Sequence, residues 1–412
     1  SVNSTGGSSV ARLLVAALLS LTVPDIAAAA TLRGTVESDG LPLESYSVKL
    51  YRSGSDRPAR LLGQDSSKPD GAFEIHFSPP TDRDAVLYLV AQRGRAALAT
   101  ILGRVPLDID RVVVNERTTV AAGYTLAQFI DGRQITGNRV GIANGAAMFR
   151  NLVDPGTGEL APVLGQSPNG PDTSALPTFN AVANMVLGCV RDSTKCGAFL
   201  DAARSPRNGT PRQTFQAVVN IARNPWHGVA GLFAASRNGP SPYRPALARA
   251  PDTWVLPIRF RGEPMVMNGP GNFAIDAGGN LWVTDNYQWA PRDGVACAGQ
   301  LLLKFTPTGQ FFPGSPYPGG GLDGAGFGIT LAPDGHVWVG NFGFEAPECT
   351  GTPERASHDS VSEFLPDGTP VSPDETGYTA GRISWPQGTV SDRKGNIWIA
   401  NCGNDSVTVY PD

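Results

Sequence analysis

With 412 residues, a formal net charge of −4 and only 17% charged residues, the chain has length for two to four domains and no basic concentration suited to a nucleic-acid backbone. Its 49 glycines and 35 prolines exceed average usage, which favours turn-rich β structure and long loops.

The first thirty residues read as a leader. Arg12 precedes an apolar run from Leu13 to Val23, Pro24 and Asp25 break that run, and Ala27 to Ala30 supply small residues for cleavage. This is the pattern of a secretory signal cleaved near Ala30; a membrane span would need about 20 uninterrupted apolar residues. The expected location is secreted, periplasmic or at the cell surface, with no membrane span after cleavage.

Residues 31–115 predict an all-β sandwich. Short stretches such as Thr31 to Val36, Tyr46 to Tyr51 and Val86 to Ala91 are apolar or alternating, and Gly- and Pro-bearing turns separate them. The order Gly34-Thr35-Val36, Gly40-Leu41-Pro42-Leu43 and Asp70-Gly71-Ala72-Phe73 resembles the carboxypeptidase-regulatory or collagen-adhesin B type of β-sandwich. That resemblance implies a spacer or adhesive role.

From 116 to 238 the apolar period becomes helical, so an all-α domain is expected there. The spacing predicts helices over Thr119 to Ile130, Val140 to Val153, Thr178 to Val190, Ala198 to Arg204, Arg212 to Asn224 and Gly228 to Ser236. Thr118 or Thr119, Asn138 and Thr210 suit N-terminal caps. The loop from Asp154 to Ala175 is expected either to be a flexible cover or to pack on a neighbour. Asn144, Asn180, Asn184 and Asn220 lie within the helices as candidates for a ligand or, more plainly, for helix-to-loop hydrogen bonds. Residues 239–262 read as a linker or partial blade, with Thr253 to Phe260 as an entering strand.

The stretch 263–412 carries three copies of one pattern: Gly279-Asn280-Leu281-Trp282-Val283, Gly335-His336-Val337-Trp338-Val339 and Gly395-Asn396-Ile397-Trp398-Ile399. Each reads as apolar strand, Gly turn, Trp strand, loop and third strand. Such units bury their faces by stacking round an axis, which predicts β-propeller blades with Trp282, Trp338 and Trp398 between neighbours. The third copy stops at Tyr410-Pro411-Asp412, where the next Gly is due, and the chain starts on Ser1, so a fragment with an incomplete propeller is expected. The repeats resemble the NHL and streptogramin-lyase type at Asp276, Gly279, Asn280, Trp282 and Val283, and again at Asp392, Gly395, Asn396, Trp398 and Asn401. With Val114 to Val120 and Asn220 to Pro225, the order also resembles a group of exported bacterial proteins of unassigned function.

Five cysteines fit an oxidising compartment. Cys189 is expected to pair with Cys196, and Cys297 with Cys349 from the long loops of adjacent repeats, leaving Cys402 over. The four histidines, His76, His227, His336 and His358, form no paired metal or general-base motif. No catalytic residue, metal ligand or cofactor is therefore assigned. The repeated polar position three residues after each Trp, Asp285, Asn341 and Asn401, with Asn286 beside the first, is a candidate ligand rim; the plainer role is capping of the turn. The expected function is a binding or scaffold protein that meets a surface protein or polysaccharide through propeller loops, without catalysis in the part present. The competing expectation is a propeller enzyme of the streptogramin-lyase or gluconolactonase type, which the resemblance would supply with a divalent metal.

Overall fold

The computed structural model describes residues 29–55, 57–261, 267, 269–289, 296–343 and 358–411; most of the expected leader, and Cys349, lie outside these. The chain has antiparallel sheets at its N-terminal end, a central helical region, and several small antiparallel sheets at its C-terminal end.

Eight strands come first: β1 (Ala30–Ser38), β2 (Leu41–Pro42), β3 (Ser47–Arg52), β4 (Arg60–Ser66), β5 (Ala72–Phe77), β6 (Val86–Arg93), β7 (Ala96–Arg104) and β8 (Arg111–Val114). One sheet runs β2-β1-β5, with β8 added parallel to β1, and the other runs β4-β3-β6-β7. In β5, buried and less buried residues alternate, but Val86 to Ala91 and Ala96 to Leu102 are buried without a break. A strand with no polar alternation needs cover on both faces, and here the second cover is helical.

The helices are α1 (Glu116–Thr125), α2 (Arg139–Leu152), α3 (Pro162–Gly165), α4 (Ala175–Arg191), α5 (Cys196–Ala202), α6 (Thr214–Arg223) and α7 (Val229–Ser236); β9 (Ile130–Asp131) and β10 (Gln134–Ile135) form a small hairpin between α1 and α2. Helices α1, α2, α4 and α6 lie against β7, and one continuous hydrophobic core extends from Leu32 to Trp254. Strand β7 is a sheet edge. The hydroxyls of Thr214 and Thr119 accept from Ala97 N and Ala99 N at 2.9 and 3.0 Å. Two edge donors are thus covered from α6 and α1, which blunts the edge against pairing with another chain. Helices α1 and α6 approach closely at Gly123, where a Cβ would fall 2.5 Å from Val218 Cγ1.

Helix positions follow the apolar period, but two caps differ from expectation. Helix α1 starts three residues early because Asn115, not Thr118 or Thr119, accepts from Thr118 N while Thr118 Oγ1 accepts from Asn115 N, a reciprocal capping box. Asn138 caps α2 as expected, and Gln213 rather than Thr210 caps α6. Of the two options for the loop after Asp154, packing prevails: it contains α3, buries Leu164 and fully buries Asn169. Asn169 clasps Arg259 in both directions, donating to its carbonyl at 2.9 Å and accepting from its N–H at 2.8 Å. The entering strand expected at 253–260 does not form. Trp254 instead joins the helical core, fully buried, with its N–H on Pro225 O and its carbonyl under Tyr124 OH. Burial of that large ring beside α7 outweighs ladder pairing at an open edge. The Cys189–Cys196 disulfide joins the end of α4 to the start of α5.

A buried carboxyl stands at the start of α1. Glu116 is fully buried, accepts from Tyr243 OH at 2.6 Å and from Asp39 N at 3.3 Å, and ties β1 to the segment after α7. Burial pushes its carboxyl above the ordinary 4.5, against the lowering pull of the Ser38 and Tyr243 hydroxyls. A raised carboxyl keeps its proton in the folded chain over a range where the unfolded chain has lost it. Its contribution to stability is therefore complete below pH 4.5 and is lost as pH rises through the folded value. Glu116→Gln should remove this dependence, so the variant gains on the parent in thermal melts as pH rises above that point. A difference in melting temperature that stays constant across pH would contradict it.

The C-terminal part contains β11 (Pro270–Ile275), β12 (Leu281–Asp285), β13 (Tyr287–Trp289), β14 (Ala296–Ala298), β15 (Leu302–Phe305), β16 (Ile329–Leu331), β17 (Val337–Asn341), β18 (Ser360–Phe364), β19 (Pro386–Ser391), β20 (Ile397–Asn401) and β21 (Ser406–Tyr410). They form the three-stranded sheets β11-β12-β15, β16-β17-β18 and β19-β20-β21, plus the β13-β14 hairpin. The first two strands of each sheet are joined by the same turn, with Gly279, Gly335 and Gly395 at φ +82, +90 and +92°. A side chain there would be strained, which explains the repeated glycine. In copy three the Asn396 amide, then Trp398 Nε1 and the turn N–H groups, hold the Asp392 carboxyl down to about 2.

Each of the first two sheets carries a fourth, broken edge segment that is not legible in the sequence. Tyr317 and Leu302 exchange both backbone hydrogen bonds and Phe312 N donates to Lys304 O; likewise Tyr378 and Val361 exchange both bonds and Val371 N donates to Glu363 O. Prolines at 313, 316 and 373 remove donors and interrupt these segments, so they carry no strand pattern.

Successive sheets stack in order. Trp282 packs with Leu302, Tyr317 and the second-sheet residues Val337, Val339 and Phe364. Trp338 packs on the cluster containing Ile383, Ile397 and Ile399 of the third unit. The first strands of successive sheets also touch, β11 with β16 and β16 with β19. Two helix amides tie the first repeat to the helical region: Asn144 Nδ2 donates to Gly278 O at 3.2 Å and Asn151 Nδ2 to Thr308 O at 2.8 Å.

Candidate functional site

Asp285, Asn341 and Asn401 occupy one position, the end of the second strand in each sheet, and all three are buried. The Oδ1 atom of each accepts a backbone N–H from the segment that leads into its own sheet or the neighbouring turn: Gly269 N, Asp323 N and Ser384 N, each at 3.1 Å. Asn341 Nδ2 donates to Ser360 Oγ and Ser362 Oγ at 3.0 and 2.9 Å, and Asn401 Nδ2 to Ser406 Oγ and Thr408 Oγ1 at 3.2 and 2.9 Å. Asn286, half-buried, packs against Gly326, and its Oδ1 is buried without a hydrogen bond. The rim position thus acts as a clasp between strands, with both ends of each Asn amide engaged within the protein. The helix asparagines behave alike: Asn180 donates to Pro245 O, Asn184 to Tyr243 O and Asn220 to Ala203 O.

An aromatic cluster lies at the same edge of the second and third sheets, above these clasps. His358 and Trp385 stack with centroids 3.5 Å apart and planes 9° apart, Phe342 meets Trp385 edge-on at 4.8 Å, and Phe327 meets Phe342 at 4.5 Å. Trp385 is 38% exposed and Phe327 40%. Trp385 and His358 adopt φ +49 and +75°, values that bulky L-residues rarely hold. The backbone there is pinned by Trp385 N donating to His358 O at 2.6 Å and Cys402 N donating to Trp385 O at 3.1 Å. The His358 ring bonds through Nδ1 to the Phe342 carbonyl. A carbonyl only accepts, so the proton of the neutral ring sits on Nδ1. A half-exposed indole held by a strained backbone is a rigid platform for another ring face. The aromatic types are not repeated from copy to copy, Phe342 standing where the other copies have Asn286 and Cys402, and sequence spacing could not unite Phe327, Phe342, His358 and Trp385.

His227 is exposed, and the other two histidines have structural surroundings. His76 Nδ1 bonds Thr31 Oγ1 at 2.9 Å. His336 Nδ1 bonds Glu363 Oε1 at 2.6 Å, and Tyr378 OH donates to Glu363 Oε2 at 2.9 Å. Burial, then the Glu363 carboxylate, push that tyrosine up to about 12. Among the described residues no group of three or more His, Cys, Asp or Glu is placed to hold a metal ion. Cys297 is disulfide-bonded, its expected partner Cys349 lies outside the described residues, and Cys402 is free and exposed. Among the described residues no helix is long and apolar enough to cross a membrane.

No protein-family model and no curated protein matches the chain. Among solved structures, a 9R-lipoxygenase from Cyanothece PCC8801 is similar over 91% of this chain at 10% identity and a TM-score of 0.17; the chain spans 44% of that protein's length. A superposition at that score carries no argument about fold or activity.

Proposed function

We propose that this chain is an exported binding or scaffold protein, in which a β-sandwich of carboxypeptidase-regulatory type and a helical region support β-propeller blades of NHL or streptogramin-lyase type. The stacking of Trp282 and Trp338 on the next sheet, with the first strands side by side, supports the propeller reading. The observation that carries the binding role is the exposed Trp385 platform, stacked on His358 at the loop edge. A flat apolar face beside polar loop atoms suits the ring of a sugar in a surface polysaccharide. Secretion or residence in the periplasm or at the surface follows from the leader pattern and agrees with the disulfide.

Screening the full chain against an oligosaccharide array tests this. A bound glycan should be lost in Trp385→Ala, while the melting temperature changes little. Retention of every bound glycan by that variant would remove the platform from the reading.

A further inference from the structure

A second feature lies on the N-terminal sheets. In the β3–β4 pair, Arg52 stands directly opposite Arg60. Like charges facing each other across an antiparallel pair disfavour the pairing. Both residues line a cleft of about 580 Å³, and Arg57 from the connecting loop and Arg139 from the start of α2 line it too. Among the described residues Asp82 is the acidic member of that lining, and it is engaged with Arg139 at 3.3 Å. Arg57 and Arg60 are exposed and have no acidic partner among the described residues. In a chain of net charge −4, four guanidinium groups thus converge on one cleft with one carboxylate among the described lining residues.

We infer that this cleft binds an acidic polysaccharide, one that carries carboxylate or sulfate groups. Planar guanidinium forks match both anions in a bidentate manner, and an anion between Arg52 and Arg60 would relieve their repulsion. Leu61, Leu62, Pro79 and Pro80 supply apolar edges for sugar rings. Among the described residues the lining contains no aromatic side chain on which bases would stack, and such stacking is the usual device for single-stranded nucleic acid. The same Pro79-Pro80-Thr81 loop borders a second cleft of about 940 Å³, lined by Arg83, by Arg33 paired with Glu74, and by Asp110. This site is separate from the Trp385 platform and stands or falls independently of it.

The test is calorimetric titration of the full chain with polygalacturonate, heparin, neutral dextran and a single-stranded oligonucleotide. One or both acidic glycans should bind, should raise the melting temperature, and should weaken as salt rises. Which of the two binds identifies the anion. Arg57→Ala with Arg60→Ala should reduce affinity about tenfold or more and abolish the glycan-induced rise in melting temperature. The unliganded variant should melt no lower than the parent, because a like-charge pair is removed, and Trp385→Ala should bind as the parent does. Equal affinity of the double variant, equal binding of dextran, tighter binding of the oligonucleotide, or no binding of either acidic glycan would each overturn the assignment.

Discussion

Trp282→Ala should be among the most destabilising single substitutions in the repeat region, costing about 3–5 kcal/mol, whereas Trp398→Ala should cost no more than about 1 kcal/mol. The two residues hold the same place in the repeat, so the contrast comes from what covers them. Trp282 is 1% exposed and Trp398 41%. The Trp282 ring lies 5.8 Å from Tyr317, carries the Lys304 ammonium 4.6 Å above it, and is sealed by residues of the second sheet. Lys304 is itself 4% exposed and held by Pro366 O at 2.9 Å and Asp276 at 3.5 Å, so removal of the indole also opens a void beside a buried cation. Around Trp398, the residues on the same pleat face, Val390, Val407 and Val409, are exposed as well. Truncation there removes much less burial than at Trp282, and one hydrogen bond, from Nε1 to Asp392 at 3.2 Å. Urea unfolding followed by circular dichroism would measure both costs. Equal losses would mean that burial by the next sheet is not what stabilises the repeat.

The parts legible in the sequence share a physical cause. Gly279, Gly335 and Gly395 are visible because the turn needs positive φ, and the first two Trp strands are visible because their rings pack against the next sheet. Helices α2, α4, α5, α6 and α7 were legible from their apolar period, within three residues at either end. What stayed hidden depends on partners far away in the chain. Asn115 is recognisable as a cap only with the reciprocal Thr118 bond, and Trp254 carries a strand-like local pattern although it packs in the helical core beside α7. The arginine cleft unites positions 52 and 60 through strand register and adds Arg139 from a helix more than seventy residues later. No local pattern reports such a convergence. The candidate rim shows the complementary case, because the repeated polar position was legible while its inward orientation was not.

That inward orientation makes the second large effect specific. Asn341→Ala should cost about 2–4 kcal/mol, because it strands the Asp323 N–H and the hydroxyls of Ser360 and Ser362 in a buried setting. The repeats themselves contain the control. Asn401 likewise faces Ser406 and Thr408, while in the first sheet the position is Asp285 and the register places Leu301 and Leu303 where Ser360 and Ser362 stand. An amide thus accompanies hydroxyls, and a carboxylate accompanies leucines. A donor on the Asn side chain is needed only where the third strand offers acceptors. Combining Asn341→Ala with Ser362→Val should therefore recover part of the loss, since removing both partners of a buried hydrogen bond costs less than removing one. Denaturant unfolding of the two single variants and the double variant would give this coupling directly. A rim built for ligand would behave otherwise: Asn341→Ala would leave stability unchanged, Ser362→Val would rescue nothing, and the loss would appear in glycan affinity instead.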